Sequence, residues 1–224
     1  MTTLHIRFII MINRIALLSA LALLASCNAA RVVQPIAKDE VRVGFAMGGP
    51  QVNEDRLPLM SVYAVRGATE DRSDYLGLNL MTAGFQSLQT DFGSVWHVRD
   101  RQGWFPELNG QVGGNLFISG RDYTTRLYPQ FGMHGVWEYG RWMPYCGSEV
   151  WVDPFFNLVE NGNGSLVHPS LHAGLRWTGK HFEFGLEGKW LNPTRTFVIP
   201  QQTVPTFMGT GARGVYVTLA YRIP

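Results

Sequence analysis

Residues 122–138 read DYTTRLYPQFGMHGVWE, and one parity of alternation is kept over these seventeen residues. Asp122, Thr124, Arg126, Tyr128, Gln130, His134 and Glu138 fall on one side, and Tyr123, Leu127, Pro129, Phe131, Met133 and Trp137 on the other. Side chains alternate sides only in an extended chain, so this period of two predicts a long β-strand lying between a polar and an apolar medium. The flanking stretches repeat the pattern. In 107–118, Glu107, Asn109, Gln111 and Asn115 alternate with Leu108, Val112, Leu116 and Ile118, and Ser119 with Gly120 makes a tight turn into the next strand. In 180–190, His181, Glu183, Glu187 and Lys189 oppose Phe182, Phe184, Leu186 and Trp190. In 213–222, Tyr216, Thr218 and Arg222 oppose Val215, Val217, Leu219 and Tyr221.

A soluble barrel turns its apolar face inward, whereas an outer-membrane barrel gives that face to lipid and sends the polar one into the lumen. Long strands, ionisable groups on the polar faces and aromatics at strand ends (Tyr123, Tyr139, Trp177, Trp190, Tyr221) favour the membrane case. Long strands also need closure, because an open edge invites pairing with another chain. Short turns such as Thr178-Gly179 alternate with long loops such as 192–211, as periplasmic turns and outer loops do. The predicted fold is therefore all-β, a small antiparallel up-and-down transmembrane β-barrel in the outer membrane of a Gram-negative bacterium. Ten strands are expected, over 41–48, 59–67, 75–81, 92–99, 107–118, 122–138, 149–159, 165–177, 180–190 and 213–222. Eight is the alternative if two of these merge or sit in loops. The first four are weak, and 59–67 alternates poorly, with Met60, Val62 and Ala64 against Ser61, Tyr63 and Val65.

Composition sets outer bounds. In 224 residues, 16% charged and 46% hydrophobic positions fit one ordered domain. Two Cys exclude a disulfide scaffold and a Cys-built metal site, and a net charge of +2 gives no footprint for nucleic acid. No apolar run approaches the ~20 residues a membrane helix needs. Near the start, Arg14 precedes an apolar run over 15–25, which predicts an export signal over 1–28 and a barrel over 29–224, with Met11 an alternative start. Leu24-Ala25-Ser26-Cys27 resembles a lipobox, in which Cys27 carries lipid, while cleavage between residues 28 and 30 discards it; both readings stay open. Without Arg7 and Arg14 the basic residues number 17, matching the 17 acidic ones, and Cys146 has no intrachain partner.

A narrow barrel fills its interior with side chains, so the ionisable groups must meet there. Taking Thr178-Gly179 as a two-residue turn pairs Trp177 with Lys180. Ser170 then faces Glu187, His168 faces Lys189, Arg176 faces His181, and His172 is diagonal to Glu183 and Glu187. A tight turn in 161–164 sets Asp153 opposite His172 or Ser170, and one register allowed by the connection 139–148 sets His134 opposite Asp153. His134, Asp153, Ser170, His172, Glu183 and Glu187 can thus share one lumenal belt. Imidazole and carboxylate suit a divalent transition metal ion, with His134, Asp153 and His172 as ligands. Glu187, Glu183 and His172 suit proton transfer. The competing interpretation is a polar plug whose charges satisfy one another. Ser170 with His172 only approximates a hydrolase triad. His97 and His181, near strand ends, are expected to be solvated or to pair within turns.

With an export signal, a single small barrel and a belt of His and acidic groups, the chain resembles the rhizobial outer-membrane lipid A oxidases over its whole length. The resemblance implies oxidation of the proximal glucosamine of lipid A to an aminogluconate unit. It further implies dioxygen as co-substrate, hydrogen peroxide as product and a divalent cation, with lipid A and outer-membrane lipid as partners of a monomer. It assigns no residue. Arg126, Lys189, Arg195 and Arg213 are candidate cations for the lipid A phosphates. Two alternatives stand beside it. A lipid A deacylase-like hydrolase would carry a His-Ser-Asn run near the penultimate strand, where this chain reads Glu187-Gly188-Lys189-Trp190. The other is a non-enzymatic structural barrel.

Overall fold

The computed structural model describes residues 28–52, 55–56, 59–120, 123–155, 166–193 and 211–223. The expected leader with Cys27, the turn at 161–164 and Arg195 lie outside the described residues, as does most of the loop 192–211.

Ten long strands form the wall: β1 (Val41–Val52), β2 (Leu59–Thr69), β3 (Arg72–Asn79), β4 (Ser87–Arg99), β5 (Glu107–Ser119), β6 (Thr125–Val136), β7 (Trp142–Val152), β8 (Val167–Thr178), β9 (Phe182–Leu191) and β10 (Ala212–Ile223). Each pairs antiparallel with its neighbour in sequence, and β10 pairs back onto β1 from Val41↔Ile223 to Pro50↔Gly214. Closure leaves the wall no free edge. A two-residue rung, Asp55–Arg56, folds back on Val52 and Gln51, and a short 3-10 turn, Met81–Phe85, links β3 to β4. Among the described residues no helix is long and apolar enough to cross a membrane.

The orientation is that of a membrane barrel. Leu76, Leu127, Phe131, Met133, Leu186 and Val217 all point outward and are exposed, Leu76 by 58% and Leu186 by 57%. Soluble monomers rarely show a contiguous apolar patch beyond a few hundred Å², so a belt running round the whole wall belongs in lipid. Phe182, Phe184, Trp177 and Tyr221 pack into an outward aromatic cluster near the short turns. The alternate positions, among them Gln111, Gln130, His134, Glu149, His172 and Glu187, are buried in the lumen. The protein is an outer-membrane β-barrel.

Two expectations need correction. The seventh strand is Trp142–Val152 and not 149–159. Pro144 cannot donate to the ladder, and its interruption of the strand pattern hid that start. The β8–β9 hairpin is wider than a two-residue turn: Thr178 faces Glu183 and the Gly179 amide donates to the Phe182 carbonyl, so Trp177 does not pair with Lys180. As expected, the first strand begins at Val41, and residues 28–40 before it form no strand. They run down the inside of the barrel, from Asn28 beside Asp91 and Lys189 to Asp39, whose amide donates to the Gly67 carbonyl at the short-turn end.

That inner segment explains why 59–67 reads as apolar on both faces. Val62 meets lipid, while Tyr63 and Val65 join Val32, Ile36, Tyr75, Val95 and Tyr216 in a buried apolar cluster within the lumen. A second cluster sets Ala30 and Val33 against Val136, Met143 and Tyr145.

Candidate functional site

The site is a row across the wall. His134 on β6 faces Gly147 on β7, Gly147 faces His172 on β8, and His172 faces Lys189 on β9. Because Gly147 has no side chain, the two imidazoles meet over it, His134 Nδ1 standing 3.1 Å from His172 Nε2. A Cβ at Gly147 would lie 2.6 Å from His172 Nε2 and 2.9 Å from His134 Nδ1. Two residues along β7, Glu149 points into the same space, and ligand atoms of His134, Glu149 and His172 lie within 4.8 Å of one another. All three residues are buried, His134 completely.

Neighbouring groups hold this cluster in place. Gln111 Nε2 donates to the Tyr75 hydroxyl at 2.7 Å, which turns its Oε1 toward His134 Nε2 at 2.6 Å. His134 Nε2 therefore carries the proton, and its Nδ1 presents a lone pair to the cluster. His172 Nε2 is then the donor across the 3.1 Å contact, and His172 Nδ1 is buried with no hydrogen-bond partner among the described residues. Lys189 Nζ pairs with Glu149 Oε2 at 2.6 Å. Glu187 accepts from the Tyr145 hydroxyl at 2.9 Å and from the Ala30 amide. The remaining void, bordered by Glu149, Lys189, Gln111 and residues 28–31, has room for about one water molecule.

The expected belt is thus assembled in part. His134 and His172 come together, and Glu187 lies diagonal to His172 across the β8–β9 pair, opposite Gly174 and not Ser170. Asp153 does not reach them. It sits at the loop end, its carboxylate accepting from the Phe155 amide, because the early start of β7 brings Glu149 rather than Asp153 to Ser170 and leaves Gly147 opposite His134 and His172. Glu183 is held elsewhere, paired with Arg176 at 2.8 Å and with Arg42, since the wider hairpin faces it with Thr178. Arg176 accordingly faces Gly185 and not His181, and His168 faces Trp151 on β7 while Lys189 takes His172. Ser170 lies opposite Leu191 and Glu149, and its hydroxyl has no partner among the described residues, so no triad forms. Lys189 is buried at the cluster and cannot serve at the outer leaflet. His97 pairs within its turn with Asp100 at 3.1 Å.

Sequence reading missed Glu149, Gln111 and Gly147. Glu149 shares the parity of Asp153, so a signal was present, but only the register selects between them. Gly147 carried no signal, as its role is the absence of a side chain.

No protein-family model matches the chain, and no curated protein matches it. Solved structures similar to it include membrane barrels. The translocator domain of the autotransporter NalP from Neisseria meningitidis is 11% identical with a TM-score of 0.43, covering 82% of this chain and 88% of that one. A de novo designed barrel, TMB2.3, is 13% identical with a TM-score of 0.40, over 84% and 97%. The outer membrane protein OprG from Pseudomonas aeruginosa is 10% identical with a TM-score of 0.34, over 86% and 99%.

Proposed function

We propose that this barrel is a metal-dependent oxidase of lipid A, with His134, Glu149 and His172 as the ion-holding set. The observation that supports it is the convergence of two imidazoles and a carboxylate across Gly147, with His134 oriented by Gln111. Metal-binding His residues are commonly oriented in this way through their second nitrogen. His172 Nδ1, buried and without a hydrogen-bond partner among the described residues, offers a lone pair. Two nitrogens and a carboxylate oxygen suit a divalent transition ion.

Oxidising the glucosamine hemiacetal transfers two electrons and two protons to dioxygen, giving hydrogen peroxide and a lactone. Water opens the lactone, so the product is heavier by one oxygen atom. No side chain accepts two electrons, and a bound transition ion would supply that path. Glu187, diagonal to His172 and hydrogen-bonded to Tyr145, is placed to take the hemiacetal proton. Residues 29–31 cover this centre, so a sugar reaches it only when they withdraw.

The test is the mass of lipid A from a host that lacks the protein, before and after expression of this chain. The expected shift is the gain of one oxygen atom, lost in His134→Ala, Glu149→Ala and His172→Ala. An unchanged lipid A, together with a purified barrel free of transition metal, would overturn the proposal. That result would leave the second reading, a structural barrel with a charge-paired lumen, which the ion pairs Arg31–Asp91, Arg176–Glu183 and Lys189–Glu149 favour. A lost acyl chain would instead indicate a hydrolase.

A further inference from the structure

We propose that the lumen is a binding site for an extended polypeptide, that residues 28–36 are its resident ligand, and that a barrel relieved of them conducts ions. The wall reads the main chain of this segment with side chains. Arg176 Nη2 donates to the Ala30 carbonyl at 2.7 Å, and Lys189 Nζ to the Asn28 carbonyl at 2.9 Å. The Glu187 carboxylate accepts from the Ala30 amide at 3.2 Å, and Ser73 Oγ accepts from the Ile36 amide at 2.8 Å. One side chain is read specifically. Arg31 makes two hydrogen bonds to Asp91, both 2.9 Å, and a third to Ser61 Oγ at 2.7 Å.

The manner of holding matters. A strand added to a sheet is bound by the main-chain ladder of an open edge, but this wall has none, since all ten strands are paired on both sides. The segment hangs on side chains alone, and no strand-to-strand hydrogen bond depends on it. Its departure would strip Asp91 of the Arg31 and Asn28 donors and take the Ala30 amide from Glu187, which keeps the Tyr145 hydroxyl. Buried carboxylates without donors draw in water, so the vacated lumen becomes a wet, charged path and not a dry cavity. This inference does not depend on the metal centre or on lipid A.

Asp91→Arg in the full chain tests it, by setting a second guanidinium against Arg31. Reconstituted into planar bilayers, the unaltered protein is expected to carry no steady current and the variant to show discrete conductance steps. Restoring the pair in reverse, Arg31→Asp with Asp91→Arg, is expected to close it. A synthetic peptide of residues 28–36 added to the open variant is expected to leave it conducting, whereas the same peptide with Arg31→Asp is expected to block it. Folding is read independently as resistance to SDS until heating. A folded Asp91→Arg barrel that stays closed, or unaltered protein that conducts as freely as the variant, would overturn the proposal. So would a double variant that remains open. If Asp91→Arg does not fold, Arg31→Glu in the full chain carries the same test with the peptides exchanged. The native 28–36 peptide is expected to block it and the Arg31→Asp peptide to leave it conducting, and the opposite result would overturn the proposal.

Discussion

The inner face of β6 and the inner face of β2 fill the same lumen in opposite ways. On β6, Gln130 and His134 are buried among amides, imidazole and charge, and satisfaction comes from named partners such as Asn115 and Gln111. On β2, Tyr63 and Val65 are buried against Val32 and Ile36 of the inner segment, and packing comes from apolar contact. The difference shows that this lumen is not filled as a uniform polar plug. It is part binding groove, made apolar where the segment carries Val and Ile, and part polar centre, where wall residues meet one another.

The largest expected effect falls on the polar side. Lys189→Ala strands the Glu149 carboxylate in a buried site and should lower stability by about 3–5 kcal/mol in urea unfolding of the reconstituted barrel. Replacing both partners, Lys189→Met with Glu149→Gln, should recover most of that loss while leaving metal binding abolished. Recovery of stability together with metal would mean that Glu149 is not a ligand. Next in size, Gly147→Ala places a methyl between the imidazoles, 2.5 Å from the Met133 carbonyl, and should destabilise by about 1–3 kcal/mol through overpacking. Retained metal stoichiometry in that variant would show that the contact across Gly147 is dispensable. The smallest effect belongs to the apolar side. Val33→Ala removes two buried methylene equivalents and should cost about 1.5 kcal/mol, with no change in bound metal. A loss of metal there would dissolve the distinction between the two regions.

How far the chain was legible follows the same division. Strands β5, β6, β9 and β10 were read with their faces correct, because a boundary between lipid and a polar lumen forces strict alternation. β2 resisted reading because its inner face packs on apolar residues of the inner segment, which removes the contrast that periodicity detects. β7 was displaced because Pro144 and the aromatic run before it look like a loop, and that displacement replaced Glu149 with Asp153 as the third member of the cluster. His134 and His172 were legible from parity and strand order alone.

The amino-acid order by itself determined the barrel, its membrane orientation and which side chains point inward, since each follows from local alternation against two media. Only the tertiary structure decided which inward residues touch and where residues 28–36 go. Strand register depends on turn widths of a few residues, and the course of the inner segment depends on partners such as Asp91 and Glu187 that are distant in sequence. Neither leaves a periodic mark in the chain.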